Sequence, residues 1–386
     1  MPVKNRFAEL LPEITAWRRD LHENPEILFD THRTSGVVAA KLREFGCDEV
    51  VEGIGRTGVV GVIRGRSGGG RTIGLRADMD ALPIHEQTGV AHASRTPGAM
   101  HACGHDGHTA MLLGAAKYLA ETRNFAGTVV VIFQPAEEGG GGGKEMCDDG
   151  MMDRWKIDEV YGMHNWPGKP AGSFAIRAGA FFAATDQFEL RLEGRGGHAA
   201  KPQEVIDTGL MAAHLVTALQ SIVSRNADPV EQIVISVTSM ESSSKAFNVI
   251  PQRVVLRGTV RTMSAAMRDL AERRIRAVTE GVCATFGGSA DIWYNRGYPV
   301  MVNHEEQTAF AAEVARAVSG DCEEAPLVMG GEDFAFMLEE RPGAYILVGN
   351  GDTAPVHHPE YDFNDEAMPA GCSWWAEIVE RRLPAA

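Results

Sequence analysis

The chain has 386 residues, 44% of them hydrophobic and 23% charged, and a formal net charge of −15. That length exceeds one ordinary core and suits two compact domains of a globular protein. The acidic excess argues against a nucleic-acid partner, and no run approaches the roughly 18 apolar residues of a membrane span.

Residues 7–26, "FAELLPEITAWRRDLHENPE", and residues 34–46, "TSGVVAAKLREFG", carry apolar side chains at helical spacing, the second ending on Gly46. The amphipathic N-terminal stretch has no apolar h-region and does not read as a signal peptide. Cys47, Cys103, Cys147, Cys283, Cys322 and Cys372 form no CxxC pair. They read as reduced thiols and place the chain in the cytoplasm.

Strands follow in "TGVVGVIRG" and in "RTIGLRADMDALPI", an apolar run ending on Asp78 and Asp80. A helix is expected over 104–122. After it, "GTVVVIFQPAEEGGGGG" reads as a β-branched strand stopped by Pro135, then Glu137, Glu138 and a glycine turn. "DEVYGMHNWP" delivers His164 at the end of a further strand. Strands alternating with helices predict a mixed, largely parallel α/β sheet, in which strand ends carry the chemistry. Residues 186–296 instead run strand, helix, strand, strand, helix, strand, the order of a ferredoxin-like α+β unit. The pattern of the first part resumes in "AAEVARAVSG", "APLVMGGEDFAFMLEE" and "GAYILVGNG". The expected organisation is a discontinuous catalytic domain, 1–185 with 297–386, interrupted by an inserted domain over 186–296.

The chemistry-bearing residues gather at strand ends and a helix start: His101-x-Cys103-x-His105, Glu137-Glu138, His164 and His357-His358. Thiolate, imidazole and carboxylate together suit borderline divalent cations, and carboxylates in the set suggest a site with open positions. Each residue has an ordinary alternative. His164 could be a satisfied polar side chain, His101 and His108 could open a helix, and the glutamates could be a solvated loop. It is the convergence on strand ends that favours a metal centre. The glycines before Lys144 do not make a phosphate loop, because Glu145 stands where Ser or Thr would follow the lysine.

"MHACGHDGHTAMLLGAA", "FQPAEEGGGGGKEM", "GMHNWP", "GRGGHAAKPQEVID", "AFNVIP", "GTVRTM", "GGEDFAF" and "HHPEYDFND" together resemble the M20 metallopeptidase/amidohydrolase family. The nearest branch is that of hippurate hydrolases, N-acyl-amino-acid amidohydrolases and plant auxin-conjugate hydrolases. The resemblance spans nearly the whole chain in order. It implies a two-domain architecture whose inserted domain is a lid used for dimerisation, giving a homodimer or higher homo-oligomer. It also implies two divalent ions per subunit (manganese, zinc, cobalt or nickel), held by Cys103, His105, Glu138, His164 and His357. The last is placed by counting back from Asn364, with His358 as the neighbouring choice. Other branches carry a metal-binding HxD where this chain has Asp78-x-Asp80, which leaves the roles of those two aspartates open.

By the same resemblance Glu137 is the general base. His198, delivered from the partner's lid, faces the oxyanion, and Asn248 contacts substrate. From the residues alone, His198 is an ordinary loop histidine after two glycines, and Arg261 is as well placed on a strand edge as against a substrate carboxylate. The expected activity is metal-dependent hydrolysis of N-acyl amino acids, with a dipeptidase on the same scaffold as the alternative. A cysteine hydrolase using Cys103 with a histidine, and a non-catalytic binding protein, are the readings from other classes.

Overall fold

The computed structural model describes residues 4–385. The chain forms two units. One runs to Gly179 and adds Val302–Pro326 and the residues from Asp333 onward; the other comprises Ala180–Met301 and Leu327–Glu332.

The first unit is built on an eight-stranded sheet. Its centre is four parallel strands, in the order Ala126–Gln134, Ser67–Asp78, Glu159–Trp166 and Gly343–Gly349. Val129, Val130, Val131, Ile132 and Phe133 are all fully buried, the continuous apolar run expected of a strand covered on both faces. Antiparallel strands Gly58–Arg64 and Glu49–Ile54 extend one side, and short strands Phe174–Ile176 and Glu323–Glu324 finish the other. The strand Glu49–Ile54 has no clear period in the sequence, and only one of its six residues is buried.

The helix His105–Thr122 is buried on almost every face, lying between Asn5–Glu23 and Met368–Arg382. Close approach requires small residues: a Cβ on Gly114 would meet Ile14 Cδ1 at 2.6 Å and Cys372 Sγ at 2.9 Å. Being parallel, the central strands end on one edge of the sheet. Asp78 and Gln134 end two of them, and His164 lies near the end of a third.

The second unit has the expected strand-helix order. Strands Ile233–Ser242, Arg253–Thr262, Ala184–Glu193 and Ser289–Arg296 lie side by side in that order, all antiparallel. Ala184–Glu193 alternates buried and less buried residues. The helices Thr208–Ser221 and Ala265–Phe286 supply the remaining core, with Leu215, Leu219 and Ile275 against Phe188, Leu190 and Leu256. The helix Thr208–Ser221 starts where Asp207 accepts the N–H groups of Gly209 and Leu210 and caps it. Among the described residues, no helix is long and apolar enough to cross a membrane.

Behind the start of the His105–Thr122 helix lies a buried ionic cluster. Arg18 Nε reaches Asp365 Oδ1 at 2.8 Å, and its Nη1 lies 3.4 Å from both Asp106 Oδ2 and Asp362 Oδ1. His22 Nδ1 is 2.9 Å from Asp106, and its Nε2 is 3.4 Å from Glu86. Burial opposes the charge on His22, but Asp106 and Glu86 together outweigh it and raise the imidazole from 6.5 to about 9. Burial likewise opposes the Glu86 carboxylate, yet His22 holds it down at about 2.

The histidine binds its proton more tightly folded than unfolded. Its contribution is therefore complete below about pH 6.5 and is lost as pH rises through about 9. The glutamate contributes above about pH 4.5 and loses its contribution as pH falls toward 2. In thermal melts of chelator-treated protein, the stability gap between wild type and His22→Asn should be widest near pH 6 and close by pH 10. A gap that stays constant over that range would mean the cluster does not titrate this way.

Candidate metal centre

The site is assembled where the parallel strands of the first unit end. Beyond Gln134 the chain turns through Pro135 and Ala136, whose φ of +54° is strained for a residue with a Cβ. The turn presents Glu137 and Glu138. It is held from the neighbouring strand end, where the two oxygens of Asp80 accept the main-chain N–H groups of Glu137 at 2.9 Å and Glu138 at 3.1 Å. Cys103 and His105 flank Gly104 at the start of the long helix. His164 projects from the strand Glu159–Trp166.

Donor atoms converge in overlapping groups, each within 4.8 Å, among them Cys103, His105 and His164; Cys103, Glu138 and His357; His105, Glu137 and Glu138; and Asp78, His105 and His108. Cys103 Sγ lies 3.3 Å from His164 Nε2, and Glu138 Oε1 lies 3.1 Å from His357 Nε2. His164 Nδ1 is 2.6 Å from the Asn165 carbonyl. That contact fixes the proton on Nδ1 and leaves the Nε2 lone pair facing the thiol. Both ring nitrogens of His105 are buried without an aligned hydrogen bond. Asp80 Oδ1 stands 3.4 Å from its Nδ1 and Asp78 Oδ2 stands 3.8 Å from its Nε2. A buried imidazole left in this state, beside a thiol and carboxylates, fits a divalent cation.

The electrostatics agree. Burial raises the Cys103 thiol well above its ordinary range, and Glu138, Glu137 and Asp78 raise it further. Burial alone would also raise Asp78, but His105, His108 and Arg76 hold it well below the usual carboxylate range. Asp80 is raised, by burial above all. Desolvation disfavours a charged His105, yet Asp78 and then Asp80 raise it to about 10. The shifts of Cys103, Asp80 and His105 all report negative potential in the pocket, which a divalent ion would offset.

Of the other histidines, His108 shares a donor group with Asp78 and His105, but its nitrogens already have partners. His108 Nδ1 lies 2.7 Å from Asp78 Oδ1 while its Nε2 accepts the Asn165 N–H at 2.9 Å, so both nitrogens are committed. His101 is buried with neither nitrogen bonded and joins none of the donor groups. Of the adjacent pair, His357 is the one that meets Glu138, whereas His358 Nδ1 accepts the N–H of Glu360. His198 and Asn248 belong to the second unit, side by side and exposed. The two-residue strand Gly197–His198 pairs with Val249–Ile250, and the Asn248 carbonyl accepts the Ala199 N–H at 3.0 Å.

Several residues that shape the centre were not assigned by sequence reasoning. Asp80 ties the glutamate turn, and Asp78 anchors His108. Arg76 is buried among Asp78, Gln134 and Asp333 at 2.8, 2.9 and 2.9 Å. Asp333, from the "GGEDF" stretch, also accepts the Gly143 N–H at 2.8 Å and so holds the glycine turn. The signal available was two aspartates at the end of an apolar strand, a place where a buried carboxylate needs a reason.

Residues 74–381 match peptidase family M20/M25/M40. The chain is 41% identical to a hippurate hydrolase of Campylobacter jejuni, covering 97% of this chain and 98% of that one. It is 37% identical to an N-acetylcysteine deacetylase of Bacillus subtilis, covering 94% of each. A crystal structure of a dinuclear metal-binding M20 peptidase from Bacillus subtilis superposes with a TM-score of 0.86 at 33% identity, over 98% of this chain and all of that one.

Replacing Asp80 by alanine should leave two buried N–H groups unpaired, at about 1–3 kcal/mol each. It should also loosen His105 and the glutamate turn, weakening divalent-metal binding roughly 10- to 100-fold. Urea unfolding in chelator and competition with a chromophoric chelator measure the two effects. Unchanged metal affinity would remove Asp80 from the centre.

Proposed function

We propose that this chain, a metal-dependent amide hydrolase that belongs to peptidase family M20/M25/M40, cleaves N-acyl amino acids into a carboxylic acid and a free amino acid. The observation that carries this reading is the buried cluster in which Cys103 is common to two donor groups while Glu137 stands beside Glu138. Cys103, His105, Glu138, His164 and His357 would hold two divalent ions, drawn from manganese, zinc, cobalt and nickel. Bound there, the cations polarise an amide carbonyl and lower the pKa of water from 15.7 toward about 7.

Glu137 is the general base. Its main chain is pinned by Asp80, so its carboxylate is presented to the donor cluster. It takes the proton of the attacking water as the oxygen bonds to the acyl carbon. It then passes that proton to the amide nitrogen, so that the C–N bond breaks with a neutral amine leaving. Cys103 serves as a ligand and does not attack. In the same proposal the exposed His198 and Asn248 act from the partner subunit of a homodimer, His198 at the developing oxyanion and Asn248 on the substrate. The hippurate hydrolase and N-acetylcysteine deacetylase relatives support an N-acyl amino acid as the substrate class.

The test is hydrolysis of benzoyl-, acetyl-, long-acyl- and indole-acetyl-amino acids, with dipeptides alongside. The protein is stripped by chelator and resupplied with each metal. Activity should vanish on stripping and return with metal. Glu137→Gln should bind metal normally and lose about 10²–10⁴-fold in kcat. Full activity without metal would overturn the mechanism. Faster cleavage of dipeptides than of every N-acyl amino acid would move the assignment to a dipeptidase.

A further inference from the structure

Asn165 follows His164 in its strand and is fully buried. Its polar groups reach several residues in and around the metal centre, and its Nδ2 also lies 3.1 Å from His108 Nε2. The main-chain N–H donates to His108 Nε2 at 2.9 Å, and the main-chain oxygen lies 2.6 Å from His164 Nδ1. The side-chain Nδ2 donates to the Cys103 carbonyl at 2.6 Å, and Oδ1 accepts the hydroxyl of Tyr361 at 2.7 Å.

Tyr361, also fully buried, lies on the segment that carries His357. Further up that segment, His357 donates its N–H to the Ala102 carbonyl at 2.7 Å and adopts a φ of +67°. Gly104, between the donors Cys103 and His105, has a φ of +85°. A Cβ there would lie 2.4 Å from both Asn165 Nδ2 and the Tyr361 hydroxyl. Residues 102–105, 164–165 and 357–361, remote in sequence, therefore close on one buried hydrogen-bonded pair, and the backbone of the ligand turn is shaped to fit against it.

We infer that Asn165 and Tyr361 are positioning residues that couple the buried donor group Cys103–His105–His164 to the outer pair Glu138–His357. Neither side chain supplies a donor atom, so both act through the placement of those that do. The outer pair depends on this most. The His357 side chain is 52% exposed, so local packing does little to hold it. Its segment is moored to the inner group by the Ala102 contact and by the Tyr361–Asn165 bond. Without the hydroxyl, Asn165 Oδ1 is left buried and unpaired and one mooring is gone, while Cys103, His105 and His164 keep their positions. The two cations consequently bind in distinguishable steps, the second tuned from Tyr361.

This inference rests on the dinuclear reading of the site, and the experiment keeps the two apart. Metal-free full-length wild type, Tyr361→Phe and Asn165→Asp are titrated with cobalt(II) against a chromophoric chelator, and stepwise dissociation constants are extracted. The thiolate-to-cobalt absorption of Cys103 reports the inner group. Tyr361→Phe should weaken the second step about tenfold and the first by less than about threefold. The thiolate band at one equivalent should be preserved. Asn165→Asp, which cannot donate to the Cys103 carbonyl, should weaken the first step as well. In a His357→Ala background, Tyr361→Phe should have no further effect on the second step, because the two changes remove one interaction.

Equal weakening of both steps, no weakening, or additivity with His357→Ala would overturn the coupling and leave a merely structural contact. That result with two cations still bound by wild type rejects the coupling alone. A wild type that takes up a single cation rejects the dinuclear reading, and the coupling with it.

Discussion

The constraint on which the rest of this molecule turns is the cost of burying anions. Asp78, Asp80, Asp106, Glu137 and the Cys103 thiol crowd the edge where the parallel strands end, all of them buried, with Glu138 close to being so. A buried carboxylate persists only with a compensating charge or a full set of hydrogen bonds. Asp78 has Arg76 and His108, Asp80 has two main-chain N–H groups and His105, and Asp106 has His22 and Arg18. Glu138 has His357, while Glu137 and the Cys103 thiol stand beside them in the donor groups. A divalent cation bound there would be as much a structural counter-charge as a reagent.

That constraint also explains what could be read from the sequence. The alternation of strands and helices, the ferredoxin-like order of the second unit, and the placing of Cys103, His105, Glu137, Glu138 and His164 at element ends are local facts. They are written in periodicity and in the residues that stop a strand. The partners that make those residues work are not local. Asp80 acts on Glu137 and Glu138 across adjacent strands, Asn165 on Tyr361, and Arg76 on Asp333. Tyr361 lies within the motif "HHPEYDFND", yet the motif assigns it no role, because that role exists only once the segment 357–361 lies against Gly104. Conversely, His101 sits in the most suggestive motif of the chain and joins none of the donor groups, since spacing alone does not say which way a ring faces once the helix is packed.

Strain is concentrated where donors are presented. Ala136 before the glutamate pair, Gly104 between Cys103 and His105, and His357 itself all have positive φ. For the alanine and the histidine this costs of order 1–3 kcal/mol each. The neighbouring hydrogen bonds offset it: Asp80 to the two N–H groups after Ala136, and the Ala102 carbonyl to His357. These turns are over-determined by contacts from other elements, so the donors are pre-arranged before any cation arrives. Arg18 extends the same logic outward. By meeting Asp106, Asp362 and Asp365 it joins the start of the ligand helix to the segment that carries His357.

The surroundings of Cys103 decide between the two hydrolase chemistries that its motif allows. A nucleophilic cysteine needs a lowered pKa, supplied by a nearby cation or a free helix N-terminus, and access to substrate. Cys103 lies beside His105 and just before the long helix, but burial and the carboxylates around it act in the opposite direction. It is buried, and Glu138, Glu137 and Asp78 raise its thiol well above the ordinary range. Its histidine neighbour, His164, is pushed strongly toward the neutral form by burial and by His108, so it cannot stabilise a thiolate as an imidazolium would. These conditions disfavour attack on an amide and suit a ligand, because a bound divalent ion would displace the thiol proton. Glu137 has no use in a thiol mechanism and a clear one beside a metal pair. The carboxylates that disfavour a Cys103 thiolate are therefore the same ones that stand in the candidate donor groups.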